Sequence, residues 1–189
     1  MIRGIIFDCF GVLYRGSLGH LYDITSPEHR DDLMNLSRTS DLGYVTKDDY
    51  ITAVAGFTHK EPSEVATILS TYHIRNEAMF ELVRSLHPEY KVALLSNVGQ
   101  HVMDGLFTSD ELSQLFDEVV LSSDVHIMKP DPAIFELMAQ RMGLLPEECV
   151  MIDDLETNIT GAIRAGMQGI VCVSSEQTAT DLRALLSGE

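Results

Sequence analysis

Basic residues are scarce in this sequence. Thirteen lysines and arginines stand against 29 aspartates and glutamates, which gives a formal net charge of −16. A nucleic-acid partner would require a basic stripe, and we expect none. A phosphorylated small molecule is compatible with this charge if the positive charge is local, in a bound metal ion or in one well-placed lysine. Because the chain has four lysines, a lysine beside a motif is informative.

Cysteines and long apolar runs are also few. The three cysteines, Cys9, Cys149 and Cys172, are scattered along the chain. An odd number of scattered cysteines gives no disulfide framework and fits a reducing compartment. Apolar runs such as residues 92–95 are far shorter than a membrane span, and residues 3–8 lack the pattern of a signal peptide. We therefore expect a cytoplasmic protein without a membrane partner.

Short apolar segments alternate with amphipathic segments along most of the chain. They predict buried strands that end at Asp8 and that cover residues 92–95, 119–121, 149–152 and 169–173. Strands that alternate with helices at this spacing predict an α/β fold with a doubly wound parallel sheet. Residues 15–86 show helical periodicity and no convincing strand, which predicts a small all-helical insert of about four helices. The predicted α/β core then comprises residues 1–14 and 87–189.

Polar side chains follow the predicted strands at the points where they end. Asp8 ends the first strand, and Gly11 lets the backbone turn sharply soon after it. The later strands are followed by Ser96-Asn97, by Lys129 and by Asp153-Asp154. In an open parallel sheet these ends meet at one edge, where ligands bind. Carboxylates crowded there need a hard cation such as Mg²⁺, a lysine and a hydroxyl can hold phosphate oxygens, and one carboxylate can attack phosphorus.

Each of these residues also has an ordinary alternative. Asp8 can cap the next turn, and Asp153-Asp154 can be a pair at a helix N-terminus, where the dipole favours negative charge. Ser96 can be an N-cap, and Lys129 can be a solvated surface lysine. Complementary chemistry at four strand ends of one chain is harder to assign to chance, and we therefore predict a single site.

The ordered motifs resemble those of the haloacid dehalogenase-like (HAD) hydrolase superfamily over nearly the whole chain. The matching segments are Asp8 with its strand, Leu95-Ser96-Asn97, Lys129-Pro130-Asp131-Pro132, and Ile152-Asp153-Asp154 followed by Asn158. The resemblance implies that the helical insert is the small cap domain of the subfamily with an insert after the first strand. It also implies a Mg²⁺-dependent phosphatase that acts on a small phosphorylated metabolite, as a monomer or a homodimer.

The resemblance further implies a role for each matching residue. Asp8 is the nucleophile that forms an aspartyl-phosphate, and Lys129 is the second catalytic residue. Ser96, Asn97 and Lys129 hold the phosphoryl group, with Asn158 in support. The metal ligands are Asp8, the backbone carbonyl of Phe10 and Asp154, with Asp153 bound directly or one shell out.

Phe10 is where the sequence departs from the family pattern. Phosphatases of this superfamily usually carry a second aspartate at that position, as the general acid and base. A phenyl ring cannot protonate a leaving alkoxide, and losing a general acid costs about 10²- to 10⁴-fold in rate. From Phe10 alone we expect weak turnover of alkyl phosphates and a bias towards activated leaving groups.

Two alternative functions follow from this departure. One is a low-turnover regulatory protein that keeps a phosphate and metal site. The other is a haloacid dehalogenase, since those relatives have an aromatic residue at the position of Phe10 and halide leaves without a proton. Asp153-Asp154 argues against the dehalogenase, because dehalogenation needs no cation.

A different motif uses Cys9 and Arg15, which have the C-x₅-R spacing of cysteine-dependent phosphatases. A loop that cradles phosphate needs small residues and free backbone N–H groups. The intervening residues are mostly large and apolar, so we do not expect this chemistry.

Overall fold

The computed structural model describes residues 1–99 and 102–188. The strands are β1 (Gly4–Phe7), β2 (Tyr14–Arg15), β3 (Ile74–Arg75), β4 (Lys91–Ser96), β5 (Glu118–Leu121), β6 (Cys149–Asp153) and β7 (Gln168–Val171). The first five helices are α1 (Leu18–Ile24), α2 (Arg30–Asp41), α3 (Lys47–Thr58), α4 (Pro62–Thr71) and α5 (Glu77–Leu86). The remainder are α6 (Ser109–Leu115), α7 (Ser122–Val125), α8 (Pro132–Met142), α9 (Glu156–Arg164) and α10 (Ser175–Ser187).

The centre of the fold is a parallel sheet with the strand order β5-β4-β1-β6-β7. The chain runs outward from β1 through β4 to β5, then crosses back to β6 and β7. The order therefore reverses between β1 and β6, and in open α/β sheets ligands bind at such a switch point, beyond the carboxyl ends of the strands. This confirms the predicted α/β fold with a doubly wound parallel sheet.

The sheet is buried on both faces, which explains the continuous apolar character of its strands. On one face, Phe7 and Leu94 pack with α5 and α10 through Phe80 and Leu182. On the other face, Ile6 and Leu95 pack with α8 and α9 in a second cluster. Alternate residues of each strand serve opposite faces, as the pleat requires.

Helices α1 to α4 form a separate unit with its own small core. The buried members of this core are Leu21, Leu33, Ile51, Val54, Ala55 and Val65. Thr46 caps α3, where its hydroxyl oxygen accepts a hydrogen bond from the Asp49 backbone N–H at 3.2 Å. Pro62 is the first residue of α4, where a backbone N–H would have no acceptor within the helix, so the absence of this group in proline does not weaken the helix. Among the described residues, none of the helices is long and apolar enough to cross a membrane.

The segment predicted to be all-helical contains two short strands. β2 and β3 pair antiparallel, with Tyr14 opposite Arg75 and Arg15 opposite Ile74. Two-residue strands give no alternating pattern, so the sequence could not reveal them. They form a ribbon where the chain enters and leaves the helical unit.

Helix α5 also differs from the prediction, because it packs on the sheet and not on the other helices. Its apolar residues Met79, Phe80 and Val83 belong to the core cluster of one sheet face. A helical period shows that a helix is amphipathic and does not show which core it faces. We therefore place the end of the helical unit at the β2–β3 ribbon, instead of at residue 86.

Candidate active site

Asp8 lies directly after β1, at the carboxyl edge of the sheet. Its backbone N–H donates to the Ile152 carbonyl of β6 at 2.9 Å, and its Oδ1 accepts from the Cys9 N–H at 2.6 Å. The side chain is 9% exposed. Neighbouring strands thus fix both the backbone and the carboxylate of Asp8.

Lys129 is buried between two of the predicted carboxylates. Its Nζ lies 2.8 Å from Asp8 Oδ1 and 2.6 Å from Asp153 Oδ2, and it donates to the Leu95 carbonyl at 3.0 Å. The ammonium has three protons, and these three acceptors use all of them. Burial lowers the pKa of Lys129, but Asp8 and Asp153 raise it by more, so that the net shift is upward. Lys129 therefore stays charged and holds the two carboxylates together.

Asn97 fixes the loop that carries Lys129. The Asn97 side chain donates to the Lys129 carbonyl at 2.9 Å and accepts from the Lys129 N–H at 2.8 Å. The family resemblance implies that Asn97 contacts the phosphoryl group; in the structure its side chain bonds to the Lys129 backbone. Asn97 acts here as a positioning residue for the lysine.

Asp153 is fully engaged by the protein. Asn158 donates to its two oxygens at 2.9 and 3.1 Å, and the Leu155 N–H donates to Oδ1 at 2.9 Å. Together with Lys129, these donors leave little room on Asp153 for a further ligand. Asn158 thus supports the carboxylate cluster through Asp153.

Asp154 completes a cluster of three carboxylates. One oxygen from each of Asp8, Asp153 and Asp154 lies within 4.8 Å of the others. Burial raises the pKa of Asp8 to about 7 against the opposing charge of Lys129, and burial with the Asp153 charge also raises the pKa of Asp154. Three carboxylates share a single ammonium, so the ionised cluster carries excess negative charge. An all-oxygen donor set of this kind fits a hard divalent cation such as Mg²⁺.

Ser96, at the end of β4, is 0% exposed, and its hydroxyl has no hydrogen-bond partner among the described residues. Buried polar groups are normally paired. An unpaired hydroxyl beside Asn97 fits a position reserved for a ligand oxygen. This fits the predicted contact with the phosphoryl group.

Cys9, next to Asp8, does not have the environment of a nucleophile. The thiol is 0% exposed, and burial and the nearby Asp8 raise its pKa well above the usual value. A reactive cysteine needs a lowered pKa and access to solvent. The structure thus gives no support to the C-x₅-R alternative.

Gly11 allows the loop after β1 to pass close to Asp154. Its φ is +88°, and a Cβ placed there would lie 2.3 Å from the Asp154 carboxylate. We expect Gly11→Ala to lower the free energy of unfolding by about 1–2 kcal/mol or more, because the backbone is left-handed and the space is filled. Displacement of Asp154 should also weaken, by about 10-fold or more, the affinity of the carboxylate cluster for any divalent cation that it takes up.

Urea unfolding and Mg²⁺ titration calorimetry measure these two effects. Gly56→Ala is the matched control, since Gly56 lies in α3 and a Cβ there would meet nothing within 4 Å. That control should be neutral or stabilising by about 0.5–1 kcal/mol. If Gly11→Ala behaved like Gly56→Ala, the close approach to Asp154 would be wrong.

A cavity of about 1530 Å³ opens above the carboxylate edge. Asp8, Lys129 and Asp154 line it from the core, and α2 faces it from the helical unit. Phe10 lines it as well, and its ring lies 5.2 Å from that of His73. Of the other predicted site residues, Asn97 and Asn158 also line this space, whereas Ser96 and Asp153 lie buried behind it.

The residues of α2 that line this cavity were missed by the sequence reasoning. Asn35, Arg38 and Asp41 lie three residues apart, on one helix face that borders the cavity. In the sequence this face looks like any solvated polar face of an amphipathic helix. Only the docking of the helical unit shows that it borders the cavity.

The family model of haloacid dehalogenase-like hydrolases matches residues 2–166. Among curated proteins, a fructose-1-phosphate phosphatase of Escherichia coli (strain K12) is 29% identical over 111 residues, covering 59% of this chain and 59% of that protein. A (S)-2-haloacid dehalogenase of Pseudomonas fluorescens is 22% identical over 188 residues, covering 87% of this chain and 82% of that protein. The match to the phosphatase spans less than two thirds of the phosphatase's length.

Solved structures of similar fold include a HAD-like family hydrolase from Porphyromonas gingivalis. It has a TM-score of 0.80 and 25% identity, and the match covers 98% of both chains. A HAD family enzyme from Bacteroides thetaiotaomicron, in complex with magnesium and inorganic phosphate, has a TM-score of 0.75 and 19% identity. That match covers 90% of this chain and 94% of the other.

Proposed function

The chain belongs to the haloacid dehalogenase-like hydrolases, and we propose that it is a Mg²⁺-dependent phosphatase that acts on a small phosphorylated metabolite. The observation that carries this proposal is the grouping of Asp8, Asp153 and Asp154 around Lys129 at the switch point of the sheet. The phosphatase among its relatives and the magnesium and phosphate bound by a structural neighbour support it.

Asp8 is the proposed nucleophile. One of its carboxylate oxygens would attack phosphorus, and the bond from phosphorus to the leaving oxygen would break, which gives an aspartyl-phosphate. A water molecule would then attack phosphorus, and Asp8 would leave as a free carboxylate. The Cys9 N–H already holds the carboxylate in position.

Ser96 would donate from its unpaired hydroxyl to one oxygen of the transferring phosphoryl group, and the buried charge of Lys129 beside Asp8 would stabilise that group electrostatically. The residues that would hold Mg²⁺ are Asp8, the Phe10 carbonyl and Asp154. Asp153, whose oxygens are occupied by other donors, would lie one shell out. When bound, Mg²⁺ would neutralise negative charge on the phosphoryl oxygens and on the cluster.

We propose helices α1 to α4 as the cap. They face the cavity with a polar helix, and they connect to the core through the β2–β3 ribbon. Closure of such a unit would exclude water and complete the site.

Dependence on the metal gives a direct test. Asp154→Asn should lower the turnover of p-nitrophenyl phosphate about 10²-fold or more, because it removes a charged ligand from the cluster. Excess Mg²⁺ should restore part of this activity, and EDTA should abolish activity in the unmodified chain. Glu156→Gln is the control, since Glu156 opens α9 and lies outside the cluster. Full activity of Asp154→Asn at ordinary Mg²⁺ concentration would contradict the proposed ligand set.

A dehalogenase is the second candidate, favoured by Phe10 and by the similarity to the Pseudomonas fluorescens enzyme. The carboxylate cluster argues against it, since halide departure needs no cation. Release of chloride from 2-chloropropionate, measured in EDTA, distinguishes a dehalogenase from a phosphatase. We expect no release of chloride.

A further inference from the structure

We propose that Asp41, at the end of α2, is the general acid and base that Phe10 cannot be. This assignment rests on the proposed phosphatase function. It moves the proton-transferring group from the loop after β1 to the helical unit on the opposite side of the cavity. Phe10 alone predicts weak turnover of alkyl phosphates, whereas with Asp41 the chain should hydrolyse them.

Asp41 borders the cavity. Among the residues whose side chains the structure describes (all but 100, 101, 104 and 189), the carboxylates that line the cavity are Asp8, Asp154 and Asp41. Asp8 is the proposed nucleophile, and Asp154 is a proposed metal ligand. Asp41 is thus the remaining carboxylate that borders the space where a leaving group would lie.

Asp41 is also held in place by the core. Its backbone carbonyl accepts a hydrogen bond from the Ser122 hydroxyl at 2.5 Å, and the Ser122 Oγ in turn accepts one from the Val98 N–H at 2.9 Å. Gly43, two residues on, has φ +80°, and a Cβ there would lie 2.5 Å from the Ser123 carbonyl. The end of α2 is therefore docked against the loop that follows β4 and against α7.

The end of α2 also lies over the same loop, since a Cβ at Gly99 would meet Ser40 Oγ at 2.5 Å. The Gly99 backbone N–H, a few residues beyond Ser96, is close enough to the Asp41 carboxylate to lower its pKa. Burial raises the pKa of Asp41 to about 6, although the Gly99 N–H and the charge of Lys129 oppose the shift. A carboxyl group in this range can carry a proton and give it up near neutral pH.

The other titratable and charged groups around Asp41 fit the role less well. Tyr50 of α3 lines the same cavity, and burial, with a smaller contribution from the Asp41 charge, raises its pKa, so the phenol keeps its proton at neutral pH. Arg38 of α2 also lines the cavity and brings a guanidinium group instead of a carboxyl group. His126 donates from Nδ1 to the Leu42 carbonyl at 2.8 Å and faces the backbone of this turn. Lys129 is engaged by Asp8 and Asp153.

His73 is the strongest competitor, because it lines the cavity and its ring lies beside that of Phe10. Burial lowers its pKa, so the ring is neutral at pH 7. A neutral imidazole can act as a general base, but it lacks the additional proton of an imidazolium and is therefore a poor general acid for the leaving group. Asp41 can serve both halves of the reaction.

The proposed step balances its protons. As the bond between Asp8 and phosphorus forms and the bond to the leaving oxygen breaks, the Asp41 carboxyl gives its proton to that oxygen. The leaving group departs as an alcohol, and Asp41 becomes a carboxylate. In the second half it takes a proton from the water that attacks phosphorus, which restores the carboxyl group.

The test compares a poor leaving group with a good one. Asp41→Asn should lower kcat/KM for β-glycerophosphate about 10²- to 10³-fold, because alkoxide departure needs the proton. For p-nitrophenyl phosphate, whose leaving group needs little help, the same change should cost less than about 5-fold. Asparagine keeps an oxygen near the Gly99 N–H, and a urea midpoint checks that the fold is retained.

Two further variants sharpen the test. Asp31→Asn removes an exposed carboxylate from the other end of the same helix and should leave both substrates unaffected. Adding Phe10→Asp to Asp41→Asn should restore β-glycerophosphate turnover at least 10-fold, because it returns an acid to the loop after β1. A merely structural role of Asp41 would not show this rescue.

Several outcomes would overturn the assignment. These are equal losses on the two substrates, no loss on β-glycerophosphate, or a selective loss in His73→Gln instead of Asp41→Asn. Failure of the unmodified chain to hydrolyse β-glycerophosphate, with Asp8-dependent turnover of p-nitrophenyl phosphate intact, overturns the role of Asp41 and leaves the proposed function standing. Absence of any Asp8-dependent turnover overturns both.

Discussion

Asp8→Asn should abolish turnover of p-nitrophenyl phosphate and acetyl phosphate, with a loss of about 10⁴-fold or more. Removing a catalytic nucleophile has cost about 10⁶-fold in kcat in a well-measured case. An amide oxygen is a far weaker nucleophile than a carboxylate, yet asparagine has nearly the same shape. It also retains an acceptor for the Cys9 N–H, which now bonds to Asp8 Oδ1 at 2.6 Å. The loss should therefore appear in kcat and not as a loss of fold.

The matched control for Asp8 is its neighbour Cys9. Cys9→Ser changes a buried side chain by one atom and should leave turnover within about 5-fold, since the raised pKa of the thiol makes it unreactive. The reverse pattern, with turnover lost in Cys9→Ser and kept in Asp8→Asn, would identify Cys9 and not Asp8 as the nucleophile. Steady-state assays with and without EDTA are sufficient to decide.

Lys129→Met should lower the free energy of unfolding by about 3–5 kcal/mol, because it leaves Asp8 and Asp153 as buried carboxylates without their shared cation. The Lys129 side chain is 1% exposed, and its Nζ lies 2.8 and 2.6 Å from the two carboxylates. Methionine has a similar length and fills the space without charge. Turnover should fall along with stability.

The loss in Lys129→Met should depend on pH. A buried carboxyl whose pKa is raised in the folded state favours folding at low pH, and that contribution disappears as the pH rises through the raised pKa. The pKa of Asp8 is already about 7 with Lys129 present. The variant should therefore be least stable at about pH 8 and should recover as the pH falls towards 5.

Urea unfolding in EDTA at pH 8 and at pH 5 measures this dependence. Lys60→Met is the control, since Lys60 lies 3.7 Å from Glu64 in an exposed pair that contributes about 0.5 kcal/mol or less. Added Mg²⁺ should also restore part of the stability of Lys129→Met. An equal effect of the two substitutions would show that the buried ion pairs of Lys129 do not hold the site together.

Much of the fold was predictable because the core strands are short apolar runs, several of which end at a polar residue. Asp8, Ser96 and Asp153 mark such ends, and the parallel topology brings them to one edge regardless of the loops between them. The lysine was predictable as a candidate because lysines are few and Lys129 precedes a proline-led helix.

Other features depend on tertiary contacts that no local pattern records. The β2–β3 ribbon is two residues long on each side, and α5 has an amphipathic period that would suit either core. The engagement of Asn97 with the Lys129 backbone joins residues 32 apart in sequence. Asp41 ends an ordinary polar helix, and its place above the cavity follows from contacts of that helix with Ser122 and Gly99.

The central claim is that Asp8 carries the phosphoryl group during turnover, and trapping the intermediate tests it most directly. The protein would be mixed with acetyl phosphate and Mg²⁺, quenched in acid within one turnover and reduced with borohydride, which converts an aspartyl-phosphate to homoserine. Peptide mass mapping should then find homoserine at position 8 alone, and none in EDTA. Turnover without modification at Asp8, or modification at another residue, would contradict the account.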